Sequence, residues 1–143
     1  LGSRFIVTKE ANVQKSYQKA ILNARSSDTI RTEVYTGRPA RALKNPYNTD
    51  WEHNRQSEKH DLLKRGIIPW FHDIKTGKVP SDAPSPIPQG YRDARNDETL
   101  LPQLSILPVG QACGGLTKIQ SAQAVVNDLM HEFTRAIGRF ESS

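Results

Sequence analysis

The chain has 143 residues, of which 36% are hydrophobic, and it contains one cysteine, Cys113. This length is enough for one domain with a core, a single cysteine excludes an internal disulfide, and no apolar run is long enough to span a bilayer. Lys and Arg outnumber Asp and Glu by 20 to 15, a net charge of +5, but the two signs are interleaved along the chain. The sequence therefore predicts no membrane partner, and the lone cysteine fits a reducing compartment such as the cytoplasm.

The first ten residues begin without a turn signal or a polar lead-in. Their apolar run Phe5-Ile6-Val7 predicts a buried strand, which needs hydrogen-bonded neighbours on both sides. Such neighbours are hard to find downstream, so we expect the C-terminal part of a larger α/β protein, entered at its last core strand. Gly2-Ser3 is then a candidate phosphate cradle, because a glycine before a small hydroxyl residue offers N–H and O–H donors without an obstructing Cβ. The alternative is a small pair where a strand leaves the core.

The next elements alternate between helical and extended patterns. Residues 12–25 predict a helix with one apolar face, and residues 29–36 predict an extended segment. Residues 40–44 favour one or two helical turns that Asn45-Pro46 would stop. Thr49 and Glu52 form a capping-box pattern that would open a charged helix ending at Gly66. The apolar face of the first helix comprises Val13, Tyr17, Ala20, Ile21 and Ala24.

The second half contains a proline-rich stretch and the clearest helix. Residues 67–71 predict a buried extended segment, whereas the four prolines between residues 75 and 99 indicate an irregular excursion over the surface. Residues 100–108 would return to the core, and the glycine-rich turn 109–116 would let backbone approach another surface closely. A helix over 121–140 follows, and its apolar stripe needs a partner surface. That stripe comprises Ala122, Val125, Val126, Leu129, Phe133, Ile137 and Phe140.

Candidate catalytic and metal-binding side chains are few. The four histidines, His53, His60, His72 and His131, have no recognised metal-ligand spacing, so we expect no metal site. His72 beside Asp73 could form an oriented pair, yet no nucleophile is near in the sequence. Cys113 has no base beside it, which favours an inert thiol.

Two further groups could contact an anion or a ligand. Arg38 and Arg41 could clamp an anion, or could pair with an acid elsewhere in the protein. Gln111 could contact a ligand, or could satisfy the backbone of its own turn. With Lys44 and the charged helix, the two arginines also allow a different class of function, a small basic nucleic-acid-binding module. The interleaved acidic residues argue against that module, and we expect no nucleic-acid partner.

Three segments, taken in order, resemble the C-terminal part of the nitronate monooxygenase family. They are LGSRFIVTKEA before a helix, TGRPARALKN after an extended segment, and PVGQACGGL before an amphipathic helix. The resemblance implies an α/β fold, namely the C-terminal fragment of an FMN-binding TIM barrel with a mainly helical lid. It places Gly2 and Ser3 at the phosphate of FMN, in agreement with the usual position of phosphate sites near the last strands of such barrels.

The resemblance also implies a division of the chain. Residues 1–11 would be the end of the last barrel strand and the following loop, and residues 12–74 the lid. Residues 75–99 would be a proline-rich insertion, and residues 100–143 would return with a closing helix that packs on the barrel. The family's catalytic histidine lies in a glycine-rich loop that would precede Leu1, so no catalytic residue is assigned to this chain.

The activity implied by the resemblance is the oxidation of an alkyl nitronate by FMN and O₂ to a carbonyl compound and nitrite. An enoyl-acyl carrier protein reductase of the same barrel group shares the segment order and is the alternative. The 143 residues alone would be neither a closed barrel nor an active enzyme. They would expose the apolar stripes of both amphipathic helices, 12–25 and 121–140.

Overall fold

The computed structural model describes residues 2–79 and 106–140. Within these ranges the chain forms helices around a two-stranded antiparallel hairpin, and short 3-10 turns at Ser26–Asp28 and Gln111–Gly115 precede the hairpin and the last helix. The elements in chain order are α1 (Gly2–Ile6), α2 (Lys15–Asn23), β1 (Thr29–Thr32), β2 (Ala40–Leu43), α3 (Pro46–His53), α4 (Gln56–Lys64), α5 (Pro69–Lys75) and α6 (Ala122–Phe140). None of the described helices combines the length and the apolar character that crossing a bilayer requires.

The hairpin places a strand where residues 40–44 predicted helical turns, so that prediction is wrong. β2 pairs with β1 in a register that sets Arg31 opposite Arg41. On its other edge β2 bonds residues 107–109, through Leu43 N to Leu107 O and Val109 N to Arg41 O, both at 3.0 Å. Because both edges of β2 are occupied, backbone pairing overrides the helical preference of its Ala, Arg and Leu residues.

Asn45-Pro46 starts a helix instead of stopping one. Asn45 Oδ1 accepts a hydrogen bond from Asn48 N at 2.8 Å, and Asn45 N donates to Asn48 Oδ1 at 3.0 Å. Pro46 at the first helical position has no N–H to leave unpaired. The predicted capping box at Thr49 and Glu52 is therefore wrong.

The predicted charged helix is divided in two. α3 ends at His53 and α4 begins at Gln56. The predicted end of the charged helix is confirmed, because Gly66 follows α4 with a positive φ of 69°, which glycine adopts without steric cost.

The apolar segment 67–71 is extended only at its start. Ile68 has extended φ and ψ of −77° and 127°, and Pro69 then begins α5. The prediction of a buried extended segment is therefore wrong from Pro69 onward, because proline at a first helical position is preorganised for helix. α5 carries Trp70 and Asp73 into the interior.

The first ten residues contain a helix in place of the predicted buried strand. Phe5 and Ile6 end α1, and the hydroxyl of Thr8 donates to the carbonyl of Phe5 at 2.9 Å. Val7 is buried at 1% exposure, and beyond it Thr8 forms an isolated parallel bridge with Gln120. The prediction of a strand over Phe5–Val7 is wrong because most of these backbone groups lie in a helical turn. The end of a barrel strand at Leu1 lies outside the described residues.

The described residues have two hydrophobic clusters that meet at β2. Ala42 belongs to the cluster formed with α3, α4 and α5, and Leu43 to the cluster formed with α2. Successive residues of a strand point to opposite faces, which explains this division. Tyr17 and Ile21 of α2 are buried in the second cluster. The predicted face of the first amphipathic helix is confirmed, but the expectation that it would be exposed is wrong.

The last helix is as predicted, and its apolar stripe is exposed. Val125 is buried at 1%, whereas Val126, Met130, Phe133 and Ile137 are 42%, 59%, 61% and 42% exposed. All residues from 130 to 139 are exposed, a length of about 15 Å of helix. The prediction of an uncovered stripe is thus confirmed for α6.

The proline-rich stretch lies mostly outside the described residues. The same holds for the predicted return to the core through Leu101 and Leu104. Ile106, at the end of that return segment, is buried at 3% exposure and belongs to the cluster of α3, α4 and α5.

Candidate functional site

The start of α1 meets the glycine-rich turn. The Oγ atom of Ser3 accepts a hydrogen bond from the backbone N–H of Gly110 at 2.8 Å, across 107 positions of sequence. Gly2 is exposed, and a Cβ added to it would meet nothing within 4 Å. Because the N–H groups of a first helical turn have no partner within the helix, Gly2 and Ser3 form a surface set of N–H and O–H donors.

The glycine-rich turn is packed closely against the turn that precedes β1. A Cβ added to Gly114 would lie 2.8 Å from both the N and the Oγ of Ser26, so only glycine fits there without displacement. Cys113 is fully buried, and its Sγ lies 3.7 Å from the carbonyl oxygen of Arg25. The predicted close approach of backbone is confirmed at Gly114, and the cysteine lies in the core.

The segment leading into this turn is held from two directions. The hydroxyl of Tyr17 donates to the carbonyl of Pro108, and Val109 N donates to Arg41 O at 3.0 Å. Helix α2 and strand β2 thereby fix the residues immediately before Gly110.

Helix α1 is tied to α2 and to the start of α6. Gln18 Nε2 donates to the carbonyls of Ile6 at 2.9 Å and of Thr8 at 2.8 Å. Arg4 Nη2 donates to Gln120 Oε1 at 2.7 Å and lies 3.6 Å from the carboxylate of Asp128. These contacts fix the direction in which the first turn of α1 faces the solvent.

A second cluster of polar side chains connects α3, the start of α4 and α5. It is centred on Asp73, which is fully buried. Arg55 donates to both of its carboxylate oxygens, at 2.8 and 2.9 Å. Trp51 Nε1 and the hydroxyl of Tyr47 each donate to Oδ2 at 3.0 Å. The carboxylate is thus fully engaged in holding three helices together, and we interpret it as structural.

The Asp73 network extends to the surface through Glu58. Arg55 donates to both oxygens of Glu58 at 2.9 Å, and this bond lowers the pKa of Glu58 to about 2. The hydrogen bond to Asp73 raises the pKa of Arg55 above its ordinary value. His72 lies 3.8 Å from Glu58. Of the described residues, Glu58, His72 and Asp73 are close enough to share a cation. Arg55 already donates to both carboxylates, and Lys78 Nζ lies 3.5 Å from Glu58 Oε1.

Two tyrosines beside this network, the buried Tyr35 and the half-buried Tyr47, predict weaker folding at alkaline pH. Burial raises the pKa of Tyr35 from 10.0 to about 12, and burial together with the charge of Asp73 raises that of Tyr47 further. Between pH 10 and 12 the unfolded chain loses the tyrosine protons and the folded chain keeps them, so stability falls as pH rises. Tyr35→Phe should flatten this fall by about 2–3 kcal/mol between those pH values. Urea unfolding at stepwise pH measures it, and an unchanged slope would contradict the assignment.

The other predicted side chains are not brought together. His60 and His131 are exposed, and His53 Nδ1 lies 2.8 Å from the carbonyl of its neighbour Thr49. His53 and His60 lie on different helices, α3 and α4.

The arginines of the hairpin have no acidic partner in the part of the chain that the structure describes. Arg38 is exposed in the turn between the strands, and Arg41 Nη1 donates to Thr29 Oγ1 at 3.0 Å. No described carboxylate lies within 4.0 Å of either guanidinium. Gln111 is exposed at the start of the glycine-rich 3-10 turn.

Comparison with known proteins gives the context of this geometry. A protein of Mycobacterium tuberculosis named "Putative monooxygenase Rv1533" is 29% identical over 140 residues, which are 98% of this chain and 34% of that protein. A "Probable nitronate monooxygenase" of Staphylococcus saprophyticus is 34% identical over 47 residues, which are 33% of this chain and 13% of that protein. The chain therefore spans about a third of the length of the relative that it matches along nearly its whole length.

The solved structures show the fold. FabK from Thermotoga maritima matches with a TM-score of 0.56 at 21% identity, over 98% of this chain and 38% of that one. A mutant of the same protein matches with a TM-score of 0.56 at 19% identity, over 98% of this chain and 34% of that one. The described residues are a mostly helical α/β unit that corresponds to part of that TIM-barrel structure, and a closed barrel is not among the described elements.

The family assignment rests on nearly the whole chain. Residues 1–132 match the sequence profile described as nitronate monooxygenase. That range includes both ends of the Ser3–Gly110 contact and the complete Asp73 network. The chain belongs to the nitronate monooxygenase family.

Proposed function

We propose that this chain is part of an FMN-dependent nitronate monooxygenase, which oxidises alkyl nitronates with O₂ to carbonyl compounds and nitrite. Enzymes of the family depend on FMN and act on nitronates. The observation that carries the proposal is the hydrogen bond between Ser3 and Gly110. It joins the first and the third of the segments that resemble the family, at the position where the resemblance expects the flavin phosphate.

The donor set at this position suits a phosphate. The backbone N–H groups of Gly2 and Ser3 open a helix, where the peptide dipoles favour an anion, and Gly2 leaves the approach open. The hydroxyl of Ser3 adds a donor that can rotate toward an oxygen. When bound, FMN would take electrons from the nitronate and pass them to O₂. The role of Gly2 and Ser3 would be to hold its phosphate and thereby orient the ring.

We further propose which part of the intact fold each segment of the chain forms. Residues 1–11 would leave the last strand of the barrel, residues 12–74 would form the lid, and residues 75–99 would be a surface insertion. Residues 100–143 would return to the barrel with α6. The exposed stripe of α6 supports this arrangement, because an exposed helix of this length with an apolar face is poorly stable in water without a covering surface.

The activity is tested on the full-length product of the gene that encodes this chain, loaded with FMN. We expect nitrite and a carbonyl compound to form from an alkyl nitronate, with consumption of O₂. Reduction of an enoyl thioester by a nicotinamide cofactor, without nitrite from any nitronate, would contradict the proposal and support the alternative reductase.

The phosphate role of Ser3 gives a sharper prediction. Ser3→Ala in the full-length protein should weaken FMN binding roughly 10- to 100-fold, because one hydrogen bond to a charged group is lost. Riboflavin, which has no phosphate, should bind the variant as it binds the wild type. Ser3→Thr keeps the hydroxyl and should bind FMN normally. Flavin fluorescence titration measures all three, and equal weakening for FMN and riboflavin would show that Ser3 does not contact the phosphate.

A further inference from the structure

Two arginines oppose each other across the hairpin. Arg31 of β1 and Arg41 of β2 are partners in the strand register, so their side chains leave the same face of the strand pair. Directly opposed residues have Cβ atoms about 4.5–5.5 Å apart, and like charges at this spacing weaken the pairing of the strands. Because the register holds the two positive charges together, a group of opposite charge is needed to offset their repulsion.

Neither charge is neutralised within the part of the chain that the structure describes. Residues 29–44 include four basic residues and one acidic residue, Glu33. No described carboxylate, that of Glu33 included, lies within 4.0 Å of the guanidinium of Arg31 or Arg41. The arginine pair thus differs from Arg55, which binds two carboxylates.

The guanidinium of Arg41 is oriented by Thr29. Arg41 Nη1 donates to Thr29 Oγ1 at 3.0 Å, and the hydroxyl of Thr29 donates in turn to the carbonyl of Ser26 at 3.0 Å. Since the one proton of the hydroxyl is used there, Thr29 serves Arg41 as an acceptor. The other N–H donors of this guanidinium have no acceptor among the described residues. The half-buried Arg41 therefore presents fixed, unused donors beside the exposed Arg31.

We propose that Arg31 and Arg41 together bind one oxyanion, a carboxylate or phosphate group that accepts hydrogen bonds from both guanidinium groups. The planar donor set of arginine matches the oxygens of such a group, and an anion between the two side chains replaces repulsion with attraction. The site uses none of the residues assigned to the flavin phosphate and stands independently of the proposed function.

Two sources supply this chemistry. One is an acidic side chain in the remainder of the fold, since this chain spans 34% of its matched relative. The other is a phosphate group that is free in solution.

The test compares thermal unfolding of the full-length protein with that of Arg31→Gln, in sodium phosphate and in sodium chloride at equal pH and ionic strength. Glutamine keeps a polar side chain and removes the charge. Arg38→Gln is the matched control, because Arg38 is exposed in the turn of the same hairpin and has no opposed arginine. A general effect of phosphate on folding acts equally on all three proteins.

The two sources give different results. If free phosphate is the ligand, phosphate should raise the Tm of the wild type and of Arg38→Gln by about 1–3 °C more than that of Arg31→Gln. If a carboxylate of the protein is the ligand, phosphate should act equally on the three proteins, and Arg31→Gln should unfold at least about 2 °C below the other two in chloride.

An arginine pair without an anion predicts the opposite sign. Arg31→Gln would then relieve a repulsion. A Tm of Arg31→Gln at or above that of the wild type in both salts, with an equal response of all three proteins to phosphate, would overturn the proposal.

Discussion

Replacement of Asp73 by asparagine is expected to lower the free energy of unfolding by about 3–5 kcal/mol. The carboxylate is fully buried and accepts hydrogen bonds from Arg55, Trp51 and Tyr47. An amide in its place leaves the Arg55 charge without its buried partner and turns an NH₂ group toward donors. Urea unfolding followed by tryptophan fluorescence measures the loss.

Glu58→Gln is the matched control for Asp73→Asn. Glu58 binds the same guanidinium, but its side chain is 38% exposed, so we expect a loss below about 1 kcal/mol. A loss of similar size for the two variants would show that burial of Asp73 is not what makes the network stabilising. A loss below about 1 kcal/mol for Asp73→Asn would show that the network is not a structural centre.

Phe133→Ala should destabilise the full-length protein by about 3–5 kcal/mol, although Phe133 is 61% exposed in this structure. We expect this loss because the stripe of α6 would be covered by the part of the fold that these residues do not span. Were Phe133 exposed in the full-length protein, alanine would be neutral or slightly stabilising, since it is the better helix former. The sign of the change in unfolding free energy therefore shows whether Phe133 is covered or exposed in the full-length protein.

Arg135→Ala is the control for Phe133→Ala. Arg135 lies on the same exposed half of α6, away from the apolar stripe, and should change stability by less than about 0.5 kcal/mol. Thermal unfolding of the two variants and the wild type, at equal protein and FMN concentrations, gives the comparison. A Phe133→Ala variant at least as stable as Arg135→Ala would contradict the covered stripe.

The periodicity of apolar residues predicted the long helices of this fold. The structure of the short elements was determined by hydrogen bonds to the segments beside them. The helices of residues 12–25 and 121–140 follow from apolar residues at helical spacing, and the structure has them as Lys15–Asn23 and Ala122–Phe140. Ala40–Leu43 has good helix formers but lies between β1 and residues 107–109. Asn45-Pro46 was interpreted as a helix stop, although asparagine before proline is equally a helix start.

The Ser3–Gly110 contact and the Asp73 network could not be predicted from the spacing of residues along the sequence. Ser3 and Gly110 are 107 positions apart, and Arg55 and Asp73 are 18 apart. Gly2-Ser3 was identified from residue type and resemblance, but its partner was not. The one local signal for the Asp73 network was an aspartate next to the apolar segment 67–71, and the sequence suggested His72 as its partner. The structure gives that position to Arg55, which immediately precedes α4 and donates to both carboxylate oxygens of Asp73 on α5.

The flavin content of the full-length protein tests the central claim most directly. We predict a yellow protein that releases FMN in stoichiometric amount on denaturation, and whose Ser3→Ala variant is purified with less FMN. A colourless protein that takes up neither FMN nor riboflavin when either is supplied would contradict it.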